Sequence, residues 1–226
     1  MPNWCNNTTM VQGDEEQLKQ FLRKITNKDS SIHLTNLMKM PAVLGKNPAK
    51  LKKYNEHPLT LELAFEKEQL IKEHQDLCYR ITGHKNSYDW ACAEWGTKWG
   101  DCYTHHVSDS TENKNPIMLN YETAWGPFEN NFWCRVSSKF PRLYFINLYD
   151  EWGCGFSGAE VWCNGILLHR ETGNSSDLKY DEYCPEEDNG HQECNCIENA
   201  ILELSDKFFR HACNFVENRM IEPWLR

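Results

Sequence analysis

Cys184, His191, Cys194 and Cys196 are the residues of this 226-residue chain whose types most directly suggest chemistry. Thiolate and imidazole suit zinc, and a zinc ion would pin the acidic loop that carries them. Their spacing, C-x6-H-x2-C-x-C, matches no recognised zinc arrangement, so free thiols in a flexible loop are the competing reading. Carboxylates form the second group: Glu94, Asp101, Glu122, Asp150 and Glu151 fall at or near expected strand ends. A facing pair could do general acid–base work or bind a hard cation through oxygen. No histidine or nucleophile accompanies them in a recognised order, so ion pairs with Lys98 or Arg135, and turn caps, compete with that use. His105 and His106 are adjacent on an expected strand and point to opposite faces, so a metal would take only one of them. GCGFSG, 153–158, comes nearest to a phosphate loop but leads into a strand rather than a helix. A cysteine nucleophile is available in principle among eleven thiols, without a local signature.

The densest feature is aromatic. SYDWACAEWGTKWGDC, 87–102, places Trp90, Trp95 and Trp99 together, and Trp125 follows in TAWGPF. Tryptophan beside glycine is a common packing device, since glycine lets backbone pass close to the ring. The same residues could instead line a groove with Lys98 and Glu94 as its polar members, because Trp and Tyr are enriched in binding hot spots and also stack bases. The candidate binding set is therefore Trp95, Lys98, Trp99, Glu94, Trp125 and Glu151.

The elements that must position these residues can be read in order. Residues 3–11 suit a strand; Asp14 is an N-cap for a helix with Leu18, Phe21, Leu22 and Ile25 on one face. Residues 28–58 contain Pro41, Pro48 and Pro58 and are irregular. A helix is expected within 60–82, ended by Gly83, although Leu59, Leu61, Leu63 and Phe65 alternate and leave a short strand open at its start. Strands are expected near 101–107 and 116–124, then a helix started by Pro127. LYFINLY, 143–149, is a strand, and Asn164-Gly165 signals a hairpin within 155–170. With 28–100 set aside as a helical insertion, the order predicts an α+β fold: a ferredoxin-like split β-α-β antiparallel sheet with helices on one face. That domain would span 1–171. An acidic, cysteine-containing loop would cover 172–196, and a C-terminal helix 197–226. The stripe Ile197, Ile201, Leu204, Phe208, Ala212 and Phe215 must pack on the domain or on a second subunit, as in a homodimer.

Composition narrows the function classes. The net charge is −9. That argues against a generic nucleic-acid binder, which needs a basic surface to displace counterions. A local patch of Lys46, Lys50, Lys52 and Lys53 reads as a solvated loop. No apolar run approaches a membrane span. No basic-then-apolar leader opens the sequence, and the odd cysteine count suits reduced thiols, so a cytoplasmic protein is expected.

PNWCNNTTMVQG (2–13), LMKMP (37–41), YDWACAEWGTKW (88–99), NYETAWGPF (120–128) and LYDEWGCGFSG (148–158) together resemble the YubB-like family of plasmid and phage proteins. The resemblance covers roughly 2–171. Where the family has Thr-Ala-Trp-x-Pro-Pro, this chain has Phe128 in place of the second proline. The resemblance implies a ferredoxin-like domain of uncharacterised function in a mobile-element accessory protein, and it supplies no catalytic residues. The expected function is a non-enzymatic phage or plasmid accessory protein that binds a host protein in the bacterial cytoplasm, a defence protein being the favoured partner, without a cofactor. Two other classes stay open: a protein sequestering a nucleotide or single-stranded nucleic acid, and an acid/base or metal-dependent enzyme using Glu122, Glu151 or the tail zinc.

Overall fold

The computed structural model describes residues 3–46, 48, 60–106, 115–174 and 196–221, with the side chains of the last stretch described from 202 to 219. Cys184, His191 and Cys194 lie outside the described residues, as do the side chain of Cys196 and the lysines at 50, 52 and 53.

Strand β1 (Trp4–Gly13) leads into helix α1 (Glu15–Ile25). The Asp14 carboxylate caps α1 by accepting the Gln17 N–H at 3.0 Å, with Glu15 and Glu16 in the first turn where the helix dipole favours them. Helix α2 (Leu61–Thr82) starts where Thr60 accepts the Leu63 N–H at 3.3 Å. That cap settles the ambiguity at 59–65 in favour of helix, and the alternating Leu61 and Phe65 end up in solvent. Gly83 closes α2 in the left-handed conformation. A short helix α3 (Ser87–Glu94), capped by Asn86, occupies the start of the tryptophan-rich stretch. Strands β2 (Cys102–His106) and β3 (Ile117–Ala124) follow.

Helix α4 (Asn130–Lys139) begins three residues after Pro127 rather than at it. The cause is a tertiary bond: the Glu129 N–H donates to the Trp95 carbonyl at 3.0 Å, holding the preceding segment extended. Strand β4 (Leu143–Glu151) and the hairpin β5 (Phe156–Cys163)–β6 (Ile166–Asn174) complete the sheet, turning at Asn164-Gly165, both at positive φ. Helix α5 (Cys196–Ile221) is last.

The fold is α+β, with one antiparallel six-stranded sheet in the order β2-β3-β1-β4-β5-β6. Its helices sit on both faces, not on one. Phe21 of α1 and Phe132 and Trp133 of α4 bury against Val11, Leu119 and Phe145 on one side. On the other, Phe208, Ala212 and Val216 of α5 cover Met10, Ile146, Ala159 and Val161. The described part of the apolar stripe of α5, from Leu204 to Phe215, thus seats on this chain's own sheet, chiefly over β4, β5 and β6. Burying residues such as Phe208 and Val216 contributes about 1.5–3 kcal/mol each. The remainder of that face, over β1 and β3 and without a helix among the described residues, carries the half-buried Trp4, Asn6, Thr8, Asn120 and Glu122. Among the described residues no helix is long and apolar enough to cross a membrane.

Candidate binding surface

The six candidate binding residues divide between core, scaffold and surface. Trp95 belongs to the core: it is 6% exposed, packs edge-on against Trp90 at 5.0 Å, and donates its indole N–H to the Met38 carbonyl at 2.8 Å. Reading it as a surface residue is thereby corrected. A tryptophan whose N–H has an internal acceptor satisfies its one polar atom without water. Gly96, at φ +80°, allows the chain to turn under Glu129 immediately after this ring.

Glu94 and Glu151 are scaffold residues. The Glu94 carboxylate meets the Arg135 guanidinium at 2.8 Å and the Asn131 amide at 3.1 Å, so Arg135, not Lys98, is its cation. Glu151 is buried and clamps the β4–β5 turn, accepting the backbone N–H groups of Gly153 and Cys154. Asp101 acts similarly at a 3-10 turn, Leu34–Leu37, accepting the Leu34 and Thr35 N–H groups at 3.0 and 2.8 Å. The Glu151 and Asp101 carboxylates are consumed by backbone donors, as turn caps should be, and that of Glu94 by side chains.

Lys98, Trp99 and Trp125 are at the surface. Trp99 is 46% exposed, and the Lys98 ammonium lies 4.7 Å from its ring centroid and 5.9 Å from that of Tyr88. Trp4, at the start of β1, has its ring centroid 5.9 Å from both Trp99 and Tyr103. Trp125 is 65% exposed and is tied to the same sheet end, its N–H donating to the Asn3 carbonyl at 2.9 Å. Thr97 locks the two loops together: its hydroxyl donates to the Ala124 carbonyl at 3.0 Å and accepts the Ala124 N–H at 3.1 Å.

Two of these exposed aromatics hold unusual backbone. Tyr103, 73% exposed, has φ +56°, and Trp125 has φ +78°. A bulky residue in the left-handed region costs about 1–2 kcal/mol, and neither ring is rewarded by burial. Tyr103 and Tyr88 were not singled out from the sequence. Positive φ has no signature in residue type here, though the adjacent Gly100 marks an irregular entry to β2.

Beside the rings, Asp150 reaches across β1 and accepts the Asn6 side-chain N–H at 2.9 Å. Burial pushes its carboxyl above the ordinary range, with the Asn6 and Trp152 donors opposing. Among the described residues no group of three or more His, Cys, Asp or Glu is placed to hold a metal ion.

No family model and no curated protein matches the chain. Among solved structures, the crystal structure of a protein api92 from Yersinia pseudotuberculosis, family-model DUF1281, is 9% identical, covers 77% of this chain and 98% of that chain, and superposes with a TM-score of 0.47. Nothing about function follows from a likeness at that level.

Proposed function

We propose that this protein binds another protein through the aromatic surface formed by Trp4, Trp99, Tyr103 and Trp125 with Lys98. The observation that carries the reading is that Tyr103 and Trp125 are exposed while their backbones sit at positive φ. Strain of this kind persists where a side chain must be presented rather than packed. Exposed Trp and Tyr rings on an anchored backbone suit a hot spot, because large area is buried on contact with few rotamers to freeze. The likeness of the sequence motifs to the YubB-like family supplies the setting: an accessory protein of a phage or plasmid, with a host protein, such as a component of host defence, as the partner. The order β4-β1-β3-β2, with α1 and α4 on one face, supports reading a ferredoxin-like split β-α-β core within the larger sheet.

A second reading has one observation in its favour. Trp4 and the strand-edge Tyr103 flank the open part of an antiparallel sheet, the kind of platform on which single-stranded nucleic acid stacks. Glu122 and Asp150 on that face, and the net charge of −9, count against it.

The test is capture from host lysate with four proteins side by side. The unsubstituted chain should retain one stoichiometric protein. Trp99→Ala and Trp125→Ala should lose that same protein, and Phe65→Ala, an exposed apolar change on α2, should keep it. Retention by the Trp variants at unchanged stability overturns the reading. An oligonucleotide retained by the parent and lost by Trp99→Ala establishes the second one.

A further inference from the structure

A cavity lies away from the aromatic surface, between α2 and the start of α3. It has a volume of about 350 Å³ and is lined by His74 and Cys78 of α2, by Lys46, and by Lys85, Asn86 and Ser87 at the α3 N-terminus, with Gln75, Gly45 and three apolar side chains completing it. Residues four apart on a helix share a face, and here the spacing brings the Cys78 sulfur to 3.4 Å from His74 Nε2. The thiol is also 3.7 Å from the Val43 carbonyl and is otherwise enclosed, the residue being 1% exposed. The cavity wall is the feature through which it can be approached.

The charge of this wall opposes that of the chain. Among the described residues two lysines and a histidine line it and no carboxylate does, although acids exceed bases by nine over the whole sequence. The α3 N-terminus adds backbone N–H groups: Asn86 caps the Asp89 N–H at 2.8 Å, leaving the first-turn donors of Ser87 and Tyr88 without an intrahelical partner. Asp89, in the same turn, is held by the Asn86 side-chain amide at 2.8 Å. Cations, helix donors and a thiol paired with an imidazole therefore converge on one small volume.

We infer that this cavity is an anion-selective thiol site: it takes a small ligand bearing a carboxylate or phosphate group and presents Cys78 to it, with His74 as the proton acceptor. In the simplest covalent reaction of such a site, alkylation by iodoacetate, the Cys78 sulfur forms a bond to the reagent's methylene carbon. Iodide departs with the bonding electron pair, and the thiol proton passes to His74 Nε2. Lys46 and Lys85 hold the reagent's carboxylate.

Iodoacetate and its neutral analogue iodoacetamide differ in charge at nearly constant size, so their rate ratio at one cysteine reads local electrostatics. The full chain is labelled with each reagent and Cys78 followed by peptide mass spectrometry, with the ratio referred to that of the same cysteine in urea-unfolded protein. The expected ratio is about tenfold above the unfolded reference, falling to about the reference value in Lys46→Glu/Lys85→Glu. His74→Gln should slow both reagents together and leave their ratio raised. The assignment is overturned by Cys78 staying unmodified until the protein unfolds, by a ratio no higher than the unfolded reference, or by a raised ratio that survives in the double lysine variant. None of these substitutions touches the aromatic surface, so the two readings stand or fall separately.

Discussion

Trp125 offers a test in which two smaller residues should rank opposite to their usual order. Its ring is mostly in solvent and its backbone is at φ +78°, while its N–H donates to Asn3, a bond any residue but proline can make. Trp125→Ala removes the ring and keeps the left-handed strain; Trp125→Gly removes both. The strain on an L-residue is about 1–2 kcal/mol. Glycine gives back about 0.5–1 kcal/mol through the greater freedom of its unfolded chain. The glycine variant should therefore be the more stable by about 0.5–1 kcal/mol, or about 1–4 °C in Tm for a chain of this size. At an ordinary position the order is reversed. Urea titrations followed by far-UV circular dichroism measure the difference without relying on tryptophan emission. An alanine variant equal to or more stable than the glycine one refutes the claim that this ring is held against backbone preference. Partner capture should fail equally in both, since neither carries the ring.

Three further outcomes follow from named contacts. Trp95→Phe should cost about 2 kcal/mol, because it leaves the buried Met38 carbonyl without its donor, whereas Trp99→Phe should change stability by no more than about 0.5 kcal/mol; equal effects would contradict the core and surface assignments. Gly96→Ala places a Cβ 2.8 Å from the Glu129 nitrogen at φ +80° and should destabilise by about 2 kcal/mol or more, read as a lowered Tm. Asp150→Asn tests the raised carboxyl. Because the folded state binds that proton more tightly than the unfolded one, stability falls as pH rises from the ordinary carboxylate range through the raised folded value. The asparagine variant should therefore be the more stable at about pH 8, with the gap closing toward about pH 4. A gap that is constant with pH would mean the charge at Asp150 costs nothing.

What could be read from the sequence was local. The Asp14 cap, the strand at 143 and the Asn-Gly hairpin each carry their cause within a few residues, and each forms where its pattern falls. The start of α4 did not, because the bond from Glu129 to the Trp95 carbonyl spans 34 positions and overrides the signal from Pro127. The tryptophans show the same limit. Trp95 and Trp99 are four apart with glycine close to both, yet one is buried and the other exposed. The difference lies in whether Met38 supplies an acceptor, which no spacing reveals. The Cys78–His74 pair was visible as a helical i, i+4 spacing, but its significance depends on lysines brought from two other segments.

The buried polar residues near the exposed rings explain how a strained surface is held ready. Trp99 lies between Thr97 and Asp101, both nearly inaccessible, and Trp152 follows the buried Glu151. Each of these anchors is bound to backbone N–H groups of another segment or of its own turn. Fixing the loops before contact reduces what ordering would otherwise cost on association. Thr97→Val isolates that contribution, because it preserves shape and every aromatic ring while removing both hydroxyl bonds to Ala124. Leaving buried polar groups short of partners should cost about 1–3 kcal/mol of stability. If the loops are then free to sample other arrangements, the captured partner's affinity should fall about fivefold or more, in proportion to the lost fraction of competent conformers. Surface plasmon resonance with that partner, run well below the variant's Tm, measures it. A variant that loses the expected stability yet binds with unchanged affinity would show that the rings find their positions on contact, and that the anchors serve the fold alone.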